Sequence, residues 1–393
     1  MNKIRYFDHA ATTAVEKEVL KEMLPYFNIE YGNPSSLYSI GRNAKRAVEE
    51  ARKRVSIAIN SNSKEIYFTS CGSESDNIAL KGVAYANKEK GKHIITSKIE
   101  HPAILNTCKT LEKEGFDVTY LNVDENGLIN IEDLKSKITS KTILISIMFA
   151  NNEIGTIQEV EEIGKIARER NIIFHTDSVQ AVGNVQIDVQ KMNIDLLSMS
   201  AHKFYGPKGV GAIYIRDGIR CNKLQDGGHQ EKNKRAGTEN VAGIVGLGKA
   251  IQIASDNLEE YNYHLRILRD YYEIQVKKYI SYIKINGHRT KRLSGNSNIC
   301  FEFIDGEALL LKLDEKGICV STGSACSSGN DSPSHVLLAI GLSSDKAKGS
   351  LRVTFGRENT KEEVDYLVQS LIEIVEELRN KSAEYLEFIK NKQ

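Results

Sequence analysis

Residues 198–215, SMSAHKFYGPKGVGAIYI, read as the end of one strand, a glycine-rich loop and the start of another strand. The flanking segments Asp195–Ser200 and Gly211–Arg216 (GAIYIR) both have strand composition. Loops that follow strand C-termini are where open α/β sheets place their ligands. Lys203 stands in this loop, preceded by Ser200 and His202 and followed by a Gly-Pro-Lys-Gly turn. A lysine there forms a Schiff base with a carbonyl cofactor if its surroundings lower its pKa from roughly 10.4. A single lysine is ordinarily a solvated surface charge; the Ser-x-His before it and the turn after it argue for the chemical reading.

The same alternation continues outward. Lys64–Thr69, His93–Thr96, Asp117–Leu121, Thr142–Phe149 and Ile172–Thr176 read as strands, and the stretch from Glu74 and the spacing of Val160, Ile163, Ile166 and Ala167 as helices. Strands alternating with helices imply βαβ crossovers and a mostly parallel sheet covered on both faces, here of seven strands. After about residue 255 the pattern changes. A long charged helical stretch (258–280) precedes strand-like segments at 297–304, 318–320 and 350–355. A last helix opens at Thr360 with Glu363 three residues on, the spacing of a capping box. The expected architecture is a large α/β domain over 14–256, with 1–13 and 257–393 forming a smaller α+β domain.

Composition removes several function classes. The chain has 393 residues, 53 basic against 52 acidic, a net charge of +1. That gives no bulk electrostatic grip on nucleic acid or an anionic membrane. At 40% hydrophobic and 27% charged residues it is ordinary for a soluble globular protein. No apolar run is long enough to cross a bilayer, and MNKIRYFDHAATT lacks a signal-peptide apolar segment. The six cysteines form no CxxC pair, so no zinc-ribbon or thioredoxin motif is present and free thiols are expected. The expected location is the cytoplasm.

Other residues carry chemistry when combined. Asp177 follows the apolar strand IIFHT; a carboxylate at a strand end keeps a pyridinium nitrogen protonated, as pyridoxal phosphate (PLP) enzymes require, or else caps the next segment. Gln180 is placed to donate to a phenolate oxygen. In TSCGSESDN (69–77) small residues let a backbone approach a phosphate, with Gly72 and Ser73 the natural donors; an ordinary βα turn is the bland alternative. His101, in KIEHPAI, suits stacking and proton relay, and Asn152, in NNEIG, is a turn former or a donor. Cys326 lies among Ser, Gly, Asn and Asp, a composition for an accessible loop and either a reactive or an incidental thiol. Arg352 (SLRVTFGR) is a fork for a substrate carboxylate or one half of a structural ion pair.

Taken in order, DHAATT, GNPSS, TSCGSESDN, EHPAI, NNEIG, HTDSVQ, SAHKFYGPKG, RAGTEN, STGSACSSG and LRVTFGR resemble the NifS/IscS cysteine desulfurases, of the fold-type I, class V aminotransferase-like PLP enzymes, along nearly the whole chain. The resemblance implies PLP held by Lys203, with His101 stacked on the ring, Asp177 at the ring nitrogen and Gln180 at the phenolate. Gly72, Ser73, Ser200 and His202 would bind the phosphate, and Thr238 would reach the phosphate of a neighbouring subunit, which makes the protein a homodimer. Asn152, also near the cofactor, and Arg352 would hold the carboxylate of L-cysteine. Cys326 would take the sulfur as a persulfide, leaving alanine, and pass it to an iron–sulfur scaffold or a tRNA-thiolation partner. No resident metal is implied, although Cys326 could transiently ligate a cluster. Cys71 and Ala236 depart from the family pattern, glycine and serine being usual there, and Ser73 replaces a frequent threonine. The competing readings are another PLP reaction, such as selenocysteine lyase, aminotransferase or β-eliminating lyase, and a non-enzymatic binding module.

Overall fold

In the computed structural model, which describes residues 3–322 and 333–392, seven strands form one sheet. Their spatial order is Ile66–Thr69, Gly211–Ile215, Leu196–Ser200, Ile173–Asp177, Thr142–Ser146, His93–Ser97 and Asp117–Leu121. Gly211–Ile215 runs antiparallel to both neighbours and all other pairings are parallel, so the sheet is mostly parallel as expected. The strands His93–Ser97, Thr142–Ser146 and Leu196–Ser200 are buried along their whole length, as a sheet covered on both faces requires. On one face the helices Ser39–Ala58 and Val241–Asp256 lie in close contact: a Cβ on Gly248 would come within 2.6 Å of Ala51 Cα.

Several boundaries move for identifiable reasons. The strand at Thr142 ends at Ser146 rather than Phe149, because the Glu100 carboxylate takes the Met148 N–H at 2.9 Å where a strand neighbour would. The helix expected from Glu74 starts at Gly72 and passes through a π-type stretch, Ile78–Gly82, before ending at Asn87. Thr360 caps the last long helix by accepting the Glu363 N–H, but Glu363 does not return the bond: its carboxylate turns to Lys3 and Asn359.

A second body is built on an antiparallel sheet ordered Ser321–Thr322, Ser350–Thr354, Asn296–Phe301 and Ile283–Asn286. The helices Leu258–Tyr279 and Lys361–Asn380 supply much of its core, where Leu265, Tyr272, Leu367 and Leu371 pack with Phe301 and Phe355. Phe7 belongs to this core, because Arg5–Tyr6 pairs in parallel with Ile318–Cys319. The N-terminal segment then continues toward the C-terminal strand ends of the large sheet.

Candidate active site

Lys203 closes a single tight turn, Ala201–Lys203, directly after the strand Leu196–Ser200. Its Nζ donates to the carbonyl oxygens of Ala10 and Ala11, each at 2.6 Å. Gln180 Nε2 donates to the same Ala10 carbonyl at 3.0 Å. Ala10 is itself fixed through its N–H, which donates to Thr354 Oγ1 at 2.9 Å. The N-terminal segment therefore orients both side chains through backbone oxygen atoms, a role no reading of side-chain types reveals.

Asp177 ends the neighbouring strand and is buried; its Oδ1 accepts the Val179 N–H at 2.9 Å. Burial pushes its carboxyl above the ordinary range, while His101 and Lys203 pull it back. Beneath it lies a layer absent from the sequence reading. Asp76 is buried, its Oδ1 has no hydrogen-bond partner, and it sits 3.8 Å from His175 Nε2. Burial, and then the charge of Asp177, push Asp76 well above the carboxylate range. His175 is pinned between Ser146 Oγ (2.9 Å) and Ser198 Oγ (3.0 Å), and burial lowers it to about 3. Asp177 thus rests on neutral polar groups rather than on a cation.

His101 is the N-cap of the helix Pro102–Lys113, and its Nδ1 accepts the Ala103 N–H at 3.1 Å. That bond leaves the proton of the neutral ring on Nε2. Burial holds the imidazole below its usual pKa, opposed by Asp177 and reinforced by Lys203 and His335. Gly72 opens its helix where the backbone must come close: a Cβ there would stand 2.6 Å from Val179 Cγ2 and 3.5 Å from Ser200 Cβ. Ser200 is buried at the strand end and Ser73 is exposed beside Gly72. His202 Nδ1 lies 3.1 Å from Thr12 Oγ1, and burial, with Lys203 and Lys208 nearby, lowers it to about 4. Thr238 is exposed and lines another cleft with Ser70, Gly209 and Arg235.

Arg352 comes from the second sheet. It is 3% exposed, donates from Nη2 to Asp8 Oδ1 at 2.8 Å and from Nη1 to the Asn152 carbonyl at 3.0 Å, and its Nε has no partner. Asn152 therefore joins this corner through its backbone. Asp8 was quoted in the DHAATT segment without a role; its pairing with Arg352 spans 344 residues, which no local pattern reports. Next to Asn152, Glu153 binds the Ser334 hydroxyl, and burial raises its carboxyl to about 7 against the pull of Ser334 and Arg352. Cys326 lies outside the described residues. Of the other cysteines, burial pushes Cys108 up to about 12 and Cys221 and Cys300 up to about 11, as expected of thiols filling a core. Cys71 is half-buried and its sulfur accepts a weak bond from Ser70 Oγ at 3.7 Å; nothing in the structure explains its departure from glycine.

A sequence profile of the family described as aminotransferase class-V matches residues 5–367. A cysteine desulfurase IscS from Clostridium botulinum is 56% identical over 395 residues, covering 100% of both chains. Among solved structures, a NifS-like protein superposes with a TM-score of 0.91 at 39% identity, covering 96% of this chain and 100% of its own. A second, SspA in complex with cysteine, gives 0.80 at 39% identity, covering 89% and 98%.

Proposed function

The chain belongs to the class-V aminotransferase family, as a cysteine desulfurase that uses PLP, and on that premise we propose the roles of its individual residues. The residues present fit this cofactor. A buried carboxylate at a strand end suits a protonated ring nitrogen, a lysine amine stands one turn from the adjacent strand, and a glycine opens a helix where no Cβ has room. Asp177 would hold the ring nitrogen and Gln180 the phenolate. Gly72, Ser73, Ser200 and His202 would hold the phosphate, and Lys203 the aldehyde carbon. When bound, PLP supplies an electron sink conjugated to the substrate's amine.

The chain's own groups do the rest. Lys203 Nζ, oriented by the Ala10 and Ala11 carbonyls, accepts and returns the Cα proton. His101, neutral and with its proton on Nε2, would stack on the cofactor ring and could pass a proton without bringing a second cation beside Lys203. Arg352 takes the substrate carboxylate as a bidentate fork beside Asn152, exchanging Asp8 for it. The Cys326 thiolate attacks the substrate sulfur: its S–S bond forms as the substrate's C–S bond breaks, and a proton delivered to carbon leaves alanine. The observation that carries this reading is the meeting of Asp177, Lys203, Gln180 and the Ala10 carbonyl at adjacent strand ends.

The finer expectations rest on other features. Leu24, Phe27, Ile29, Tyr31 and Leu37 are 55–89% exposed within one short stretch, more apolar surface than an isolated chain favours, which supports a homodimer with Thr238 reaching the neighbouring phosphate. The two largest cores, one almost wholly within 14–256 and one within 1–13 and 257–393, support that division, with a smaller cluster joining Ile99 and Met148 to Cys300 and Val336 across it. Among the described residues no helix is long and apolar enough to cross a membrane, and a cytoplasmic enzyme feeding an iron–sulfur scaffold or a tRNA-thiolation partner is the reading we favour.

The test is product analysis on the purified yellow protein given L-cysteine and a reductant. Alanine in step with sulfide is expected, and Cys326→Ala abolishes the persulfide while the visible cofactor band stays. Pyruvate and ammonia with the sulfide would instead mean β-elimination and remove Cys326 from the mechanism.

A further inference from the structure

The segment that leads to Thr238 is held in an unusual way. Glu231 (φ 44°, ψ 45°), Lys232 (φ 53°, ψ 39°) and Asn233 (φ 64°) occupy the left-handed region in succession, and none of them is glycine. L-residues avoid that region and visit it as single positions, so a run of three persists only where surrounding contacts enforce it. The buried contact that holds it is the Glu231 side chain, 7% exposed, while the exposed Lys232 Nζ donates to the Lys64 carbonyl at 2.8 Å. Glu231 Oε2 and Oε1 each meet a nitrogen of the Arg52 guanidinium at 2.8 Å, and Oε2 also accepts the Phe68 N–H at 2.8 Å, on the edge strand of the large sheet. Arg52, 3% exposed on the helix Ser39–Ala58, also donates to the Ile66 carbonyl at 2.7 Å and lies over the Phe68 ring.

A second tie follows four residues on. Arg235 Nε meets Glu74 Oε1 at 2.9 Å, and the other oxygen of Glu74 takes the Ser70 N–H at 2.6 Å, beside Gly72. Gly237 then turns at φ 106° with its N–H bound to Gln230 Oε1 at 3.1 Å. Thr238, the next residue, lines the same cleft as Glu231 and Arg235 and is exposed, without a side-chain hydrogen bond among the described residues. Buried ion pairs contribute little net stability and are best attested as devices that fix a geometry.

We propose that Glu231, clamped by Arg52, is a positioning residue that holds the segment 229–240 in the shape that presents Thr238 to the partner subunit's cofactor phosphate. This rests on the homodimer reading with Thr238 acting in trans. The clamp acts on the site of the other protomer and has no direct part in its own.

The test follows loss of the visible Schiff-base band after transfer to cofactor-free buffer, together with sedimentation and a melting curve. Glu231→Gln is expected to speed that loss about tenfold, the equivalent of roughly 1.4 kcal/mol, with the dimer intact. Arg52→Lys keeps a buried cation but loses the fork, and is read the same way if Glu231→Gln does not fold. Adding Lys232→Gly and Asn233→Gly to Glu231→Gln is expected to recover part of the retention, because glycine adopts the left-handed turn without enforcement. A merely structural ion pair would show no such rescue.

Mixed dimers give the decisive reading. In a Glu231→Gln protomer paired with a Lys203→Ala protomer, the one remaining Schiff base sits in the Glu231→Gln protomer and faces an intact clamp across the interface. It is expected to be retained as in the wild type. Loss as fast as in the Glu231→Gln homodimer would overturn the proposal while leaving the dimer standing, as would unchanged retention in that homodimer. Wild-type protein sedimenting as a monomer would remove the homodimer reading itself, and the proposal with it.

Discussion

Asp177 and Asp8 are the two carboxylates at opposite ends of the site, and they are held in opposite ways. Asp177 is fixed by a backbone N–H and rests on a layer of buried neutral groups, with Asp76, His175, Ser146 and Ser198 beneath it. Asp8 is fixed by a guanidinium at 2.8 Å, from another sheet and the far end of the chain. On the proposed roles, the first is a carboxylate kept ready for a cation that would arrive once and stay. The second already has its cation in Arg352, which substrate would have to take from it. The side chains of the cofactor end thus stand on one sheet, preformed except for the Ala10 and Ala11 carbonyls that aim Lys203, whereas the substrate end is a latch between two bodies.

Three substitutions test this contrast. The largest effect is expected from Asp177→Ala, which leaves a protonated ring nitrogen without its counter-charge: kcat/KM should fall by on the order of 10³-fold, as when a preorganised electrostatic partner is removed. A loss below tenfold would show that the ring nitrogen does not depend on the Asp177 charge. Arg352→Ala comes next, raising KM for cysteine by about 10²-fold with a smaller change in kcat, the usual cost of truncating one partner of a buried charge pair. Asp8→Asn sharpens the contrast: with the latch weakened, KM should fall by a few-fold, and an unchanged KM would mean that Asp8 and substrate do not compete for Arg352.

The smallest effect lies in the pH dependence of stability. Burial raises Glu100 to about 8 and Glu153 to about 7, both from an ordinary value of 4.5. Between pH 4.5 and 8 these two carboxyls therefore hold more protons in the folded chain than in the unfolded one, and the stability they contribute falls as the pH rises through that window. Glu100→Gln removes one such group, so its melting temperature should decline less steeply from pH 5 to 8 than that of the wild type. His9 and His202, both lowered to about 4, act in the opposite sense, their stability being lost as pH falls from 6.5 toward 4. A Glu100→Gln melting profile parallel to the wild type's would show that Glu100 does not titrate in this window.

Much of the preformed end was legible in the sequence, and much of the latch was not. The strands of the large sheet announce themselves as β-branched runs, and Lys203, Asp177 and His101 stand where those runs break into turns, so pattern and chemistry coincide. Arg352 was visible as a fork, but with a substrate and a structural partner equally open. Asp8 was quoted without a role, because the partner that gives it one is distant in sequence. Asp76 and His175 were missed for a different reason: buried polar residues inside a strand or helix look like ordinary alternation, and their function depends on who lies above them. The Ala10 carbonyl has no side-chain signature at all. Glu231 stands in a run of charged residues that carries no motif, whereas its carboxylate is buried against Arg52.

The pairing of the N-terminal segment also dictates when the enzyme can be finished. Arg5 and Tyr6 wait for Ile318 and Cys319, and Asp8 for Arg352, 344 residues later. At a synthesis rate of roughly 10 residues per second, about half a minute passes between the emergence of the first strand and that of its partners. During that time the large sheet can form, yet Lys203 and Gln180 lack the carbonyls that aim them. The growing chain would therefore pass through a stage with a nearly complete cofactor pocket and no working geometry, and activity would switch on late in translation, after the final strand leaves the ribosome.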